Sequence, residues 1–167
     1  GLASGANAAA TYGNVASPGV YFGSGNVNGN WTIETNNNVE VALRAKNRAT
    51  LATIDGSSGI YHTGQGLVDG NKALWNYEFS VNLRADGTGS RDFSNVFVEL
   101  LVDTNPGLGT SFTSLPVEIN WNDNAWWDGS APRRVGPAGG GTGPEYGVQQ
   151  SANPLFPDSG FNFNPGP

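Results

Sequence analysis

Between Trp75 and Leu83 apolar and polar residues alternate. Trp75, Tyr77, Phe79, Val81 and Leu83 share one parity; Asn76, Glu78, Ser80, Asn82 and then Arg84 share the other. Successive side chains of a strand point to opposite faces, so this run predicts a long strand with one face buried and one wet. Asp86-Gly87 supplies a turn, and Val96, Val98, Leu100 and Val102 alternate beyond it. The two runs are expected to pair as an antiparallel hairpin. Upstream, residues 31–34 form a short alternating run. Asn36-Asn37-Asn38 then turns the chain into Val39, Val41, Leu43 and Ala45, with Glu40, Arg44 and Lys46 expected to face water. Residues 50–54 and 59–62 read as further strands, Asp69-Gly70 as the turn opening the long strand, and Val117, Ile119 and Trp121 as one more strand.

Asn-Gly and Asp-Gly recur because tight turns need positive φ, which Gly, Asn and Asp tolerate best. Such punctuation at intervals of roughly 10–15 residues, with no helical period between, predicts an all-β fold. The expected architecture is an antiparallel β-sandwich, jelly-roll-like, with an extended N-terminal arm and a Gly/Pro-rich C-terminal segment. Residues 1–26 are the arm or an edge strand, 27–121 the sandwich core, and 122–167 an irregular segment packing on or extending from the same domain. At 167 residues one such domain buries roughly 70% of its unfolded surface.

Composition narrows the role. Charged residues are only 13% of the chain and the net charge is −6, with scattered Lys and Arg. Nucleic-acid binding needs clustered cations and is excluded as an expectation. No run approaches the ~20 apolar residues of a membrane span. The absence of Cys removes disulfide and thiolate chemistry. The absence of Met and the Ala/Gly-rich start over residues 1–10 are what a mature chain shows after its leader is removed. The expected location is extracellular or at the cell surface.

The stretch from Ala73 to Asn82 (Ala-Leu-Trp-Asn-Tyr-Glu-Phe-Ser-Val-Asn) and that from Val98 to Pro106 (Val-Glu-Leu-Leu-Val-Asp-Thr-Asn-Pro) resemble the β-sandwich exoproteins of Gram-negative bacteria that carry a C-terminal Pro-Glu-Pro sorting signal. Val41-Ala42-Leu43-Arg44-Ala45-Lys46 fits the same pattern, and the resemblance covers about residues 30–120. It implies an exported protein of the envelope or exopolysaccharide matrix, and it carries over no catalytic residue. The family pattern continues with further strands and the sorting segment after Phe161-Asn162-Phe163, which this sequence does not contain. A sandwich short of a strand is expected to leave an open edge, a template for pairing with another chain.

Candidate chemistry is sparse. Glu78 and Glu99 could serve a glycoside hydrolase as paired carboxylates, but they also read as solvated strand residues. His62 is the only histidine and no Gly-x-Ser-x-Gly elbow accompanies it, so a Ser-His-Asp triad has no support. Asp86 to Asp92, and Asn122-Asp123-Asn124 with Asp128, gather oxygens suited to calcium, although Asx residues populate turns for their own hydrogen bonds. Asn30-Trp31-Thr32 is an N-glycan acceptor pattern. Trp121, Trp126 and Trp127 offer flat rings for sugars or for a neighbouring subunit.

The expectation is therefore a protein without catalytic activity or cofactor, a structural subunit of an extracellular filament or of the envelope or biofilm matrix. Its partners are copies of itself, joined through strand edges or by an N-terminal arm that donates a strand, with Val15, Val20, Tyr21 and Phe22 as contacts. The alternative is a secreted carbohydrate-binding module using Trp121, Trp126 and Trp127 on extracellular polysaccharide.

Overall fold

The computed structural model describes residues 9–16, 27–103, 105, 107–116, 125–129, 133–134 and 145–155. These residues are all-β: they contain no helix, and their strands pair antiparallel. The strands are β1 (Thr11–Gly13), β2 (Trp31–Asn36), β3 (Val39–Asn47), β4 (Leu67–Val68), β5 (Lys72–Ala73), β6 (Trp75–Asn82), β7 (Glu99–Asp103), β8 (Phe112–Pro116), β9 (Ala125–Trp127), β10 (Arg133–Arg134) and β11 (Gly147–Ala152). Seven form one sheet in the order β1-β2-β3-β6-β11-β9-β10, while β4–β5 and β7–β8 are two-stranded ribbons. Both edges of the large sheet are short strands, a common way of limiting unwanted edge pairing.

The β2–β3 hairpin follows from its turn. Asn36 lies opposite Val39, and Asn37 and Asn38 take φ of 48° and 66°. Positive φ at both central residues matches the right-handed twist of the flanking strands. The hairpin expected between the two long alternating runs is not formed. β6 pairs instead with β3 on one side and β11 on the other, and β7 pairs with β8. Residues 50–54 contribute only an isolated bridge, Lys46 to Thr53, and residues 59–62 form no strand. Residues 117–121 lie outside the described residues.

Register fixes the two faces of the large sheet. Val41, Leu43 and Ala45 lie opposite Val81, Phe79 and Tyr77, with Val148 on the far side of Val81; this is the apolar face. Phe79, Val81, Leu83, Tyr146 and Val148 form its buried centre, and Val96, Val98 and Leu100 pack onto it. The opposite face carries Glu40, Ala42, Arg44 and Lys46 against Asn82, Ser80, Glu78 and Asn76. These polar rows were expected to face water, yet Glu40, Arg44, Asn76, Glu78, Ser80 and Asn82 are buried. β6 lies between β3 and β11, and its polar groups pair with those of the two neighbours instead of with solvent. Gln149 Nε2 donates to Ser80 Oγ at 3.0 Å and Asn76 Nδ2 to Ser151 Oγ at 3.1 Å. Conversely Val41 and Leu43, expected inside, are 42% and 49% exposed.

Candidate interaction surface

Two features of the large sheet could engage another molecule. The first is a cleft on the apolar face. β7 crosses that face through Leu100, which packs on the buried centre, but among the described residues the β7–β8 ribbon leaves the β2–β3 side of the sheet half covered. The result is two adjoining open hollows of about 400 and 340 Å³ that share Leu43, Leu100 and Leu101. Val41, Phe79, Val81 and Val98 also line the larger one, together with Glu34, Glu99 and, from the N-terminal segment, Ala10. Leu101 is 53% exposed beside it. Among the described residues β7 is paired on one side only, to β8. Its backbone groups are thus presented next to an apolar floor.

The second feature is the seat of the N-terminal segment. β1 pairs with the outer edge of β2, Thr11 opposite Ile33 and Gly13 opposite Trp31. Beyond β1 the chain passes to the polar face, where Val15 is buried with Trp31, Ile33 and Ala42. Asn28 clasps Val15 through both backbone groups: Val15 N–H donates to Asn28 Oδ1 and Asn28 Nδ2 donates to Val15 O, each at 3.1 Å. Ala16 N–H donates to both carboxylate oxygens of Glu40 at 2.9 Å. Burial pushes the Glu40 carboxyl above its ordinary pKa, against the opposing pull of the Ala16 N–H. At the other end Tyr12 Oη donates to Asp55 Oδ1 at 2.8 Å and accepts from Gly56 N–H at 3.1 Å.

The clasp has its own support. Arg44 Nε donates to Glu78 Oε2 at 2.6 Å, with both side chains about 1% exposed. Lys46 Nζ lies 3.6 Å from the other Glu78 oxygen. Arg44 Nη1 donates to the carbonyls of Val27 and Gly29, and the guanidinium stacks 4.1 Å from the centre of the Trp31 ring. The ion pair therefore fixes residues 27–29 and, with them, Asn28. Nothing in the alternation of β3 and β6 signalled this network. The pairing of Arg44 with Glu78 requires the β3–β6 register, which single-strand patterns do not contain.

The remaining candidates fall as follows. Val15 is buried within its own chain, while Val20, Tyr21, Phe22 and Trp121 lie outside the described residues. Trp126 and Trp127 are in β9, opposite Val148 and Gly147 in the backbone register. Glu78 and Glu99 are not brought together: Glu78 belongs to the polar face of β6, whereas Glu99 is in the ribbon over the apolar face, exposed and accepting from Ser114 Oγ. His62 is exposed. Asp86 accepts from Thr88 N–H and Oγ1, and Asp92 from Ser94 N–H and Oγ. Those local bonds hold both carboxyls below their ordinary pKa. Asn122 to Asn124 lie outside the described residues. Among the described residues no cluster of three or more His, Cys, Asp or Glu could hold a metal ion, and no helix is long and apolar enough to cross a membrane. Asn30 takes φ of 60° and its Nδ2, the atom a glycan would occupy, donates to Thr53 Oγ1 at 2.6 Å. Comparison with protein-family models, curated proteins and solved structures returns no match for this chain.

Proposed function

We propose that this protein is a non-enzymatic structural subunit of an extracellular filament or of the cell-surface or biofilm matrix, built by association of its own copies through sheet edges. In this reading the large sheet and the β7–β8 ribbon are the two layers of a jelly-roll-like sandwich, the second of which covers only part of the first among the described residues. The observation that carries it is the half-covered apolar face beside the outer edge of β7. An extended segment laid there could pair with β7 and cover Val41 and Leu43 in one step. Main-chain hydrogen bonds supply affinity in such strand addition, and the apolar floor adds to it. The resemblance of residues 73–82 and 98–106 to exported matrix proteins supports the location.

The test is light scattering with negative-stain microscopy of the wild-type chain over a wide concentration range, beside Leu43→Lys. Leu43 is half exposed, so a lysine there should leave thermal stability nearly unchanged. Placing a charge in the contact should weaken association at least about tenfold, equivalent to about 1.4 kcal/mol. A wild-type chain that stays monomeric at every concentration refutes the proposal, as does a Leu43→Lys chain that assembles as readily as wild type.

A further inference from the structure

We propose that residues 9–16 are an exchangeable strand: in the assembled protein, the seat formed by the β2 edge, Asn28 and Glu40 is filled by this segment of a second copy. The proposal rests on the reading of the protein as a self-assembling subunit and names a second contact between copies, beside the one at the cleft.

The segment is held in the manner of a bound peptide. Its backbone pairs with β2, Asn28 reads both backbone groups of Val15, Glu40 accepts the Ala16 N–H, and the Val15 side chain plugs an apolar socket of Trp31, Ile33 and Ala42. Among the described residues, the groups named above lie outside the segment, between residues 28 and 56, so each copy presents an equivalent seat to any other copy's segment.

An empty seat is costly. It uncovers the Trp31, Ile33 and Ala42 surface, opens the β2 edge and strips the Glu40 carboxylate and the Asn28 amide of their partners. A subunit that has released its own segment therefore captures a replacement. Ten residues, 17–26, join Ala16 to Val27. Fully extended, they reach about 33–36 Å, the width of a small domain. Residues 1–33 include no charged side chain, so in a chain of net charge −6 this stretch can approach another copy without adding charge repulsion. If each subunit gives its segment to the next, the contact is head-to-tail, and it propagates unless a ring closes.

The chain has no cysteine, which permits a clean test. Tyr12 and Thr32 are directly opposed across β1 and β2. A full-length chain carrying Tyr12→Cys and Thr32→Cys, assembled under reducing conditions and then oxidised, should run on a non-reducing denaturing gel as a ladder of covalent dimers, trimers and higher species. The same chain oxidised before assembly should close the bridge within itself and remain monomeric until reduced. Polymers whose disulfides are all intramolecular would overturn strand exchange and leave self-assembly standing, whereas a wild-type chain that forms no polymer removes both. A measurement on the wild-type chain guards against a variant that fails to fold. A synthetic peptide of residues 9–16 in large molar excess should occupy seats and slow polymer growth, and the same peptide with Val15→Asp should not. Growth indifferent to the wild-type peptide overturns the proposal.

Discussion

Arg44 and Glu78 are the residues on which most of the polar face depends. Two unlike charges leave water together only if each finds its counter-charge and its hydrogen bonds. Arg44 meets this with Glu78, two backbone carbonyls and the Trp31 ring, while Glu78 adds Lys46. Removing Glu78 leaves Arg44 buried without its counter-charge, and removing Arg44 leaves the buried Glu78 with only the more distant Lys46. Glu78→Gln should therefore cost about 3–5 kcal/mol in urea unfolding, and Arg44→Met a similar amount. The double change Arg44→Met with Glu78→Leu should cost clearly less than the sum of the singles, because neither charge is then stranded. Simple additivity would show that the pair is not coupled. Residue identity alone was a poor guide here. Asn153 is a second example: fully buried, it bonds Ala73 N–H and O, the Trp75 carbonyl and the Asn76 side chain, tying the end of β11 to the start of β6. In the sequence it is one Asn among many in a Gly/Pro-rich stretch. What distinguishes it is a set of partners some 77–80 residues away.

Elements whose signal is local were legible, and those defined by distant neighbours were not. The β2–β3 hairpin shows the first case, because its turn chemistry and alternation lie within one stretch. Its turn makes a direct prediction. Asn37 sits at φ 48°, a conformation costing roughly 1–2 kcal/mol for an ordinary L-residue and more for a β-branched one. Asn37→Val should lower stability by about 2 kcal/mol while Asn37→Gly changes it by no more than a few tenths, as measured by denaturant midpoints at unchanged m-value. Equal effects of the two would mean the turn is not held in that conformation. β11 shows the second case. Gly147–Ala152 carries a single large aliphatic residue, Val148, and no alternation of note, yet it lies between β6 and β9 in the large sheet. Its buried surroundings come from the strands on either side, so its own composition holds little trace of its place. The β6–β7 pairing failed for a related reason. Both runs alternate well, but alternation states only that each strand has two faces, and β3 and β11 outcompete β7 for the edges of β6.

For the molecule as a whole, two electrostatic effects are testable, one on assembly and one on the fold. Copies of net charge −6 repel, and salt screens that repulsion over about 8–10 Å at physiological ionic strength. Added salt at neutral pH should therefore speed assembly. Docking of the N-terminal segment engages Glu40, whose carboxyl is raised by burial and accepts the Ala16 N–H; Thr35 and Asn82, its register neighbours on β2 and β6, are uncharged. A carboxyl raised by burial binds its proton more tightly in the folded chain than in the unfolded one. Its contribution to stability is thus fully present below the ordinary glutamate value and is lost as pH rises through the raised one. Glu40→Gln keeps an oxygen to accept the Ala16 N–H but cannot ionise, so its urea midpoint should lose this part of the pH dependence while its assembly keeps the response to salt. A Glu40→Gln chain whose midpoint follows the wild-type pH profile would mean that burial of this carboxyl does not bear on the fold. An assembly rate that does not respond to salt at neutral pH would mean that charge repulsion between copies does not limit assembly.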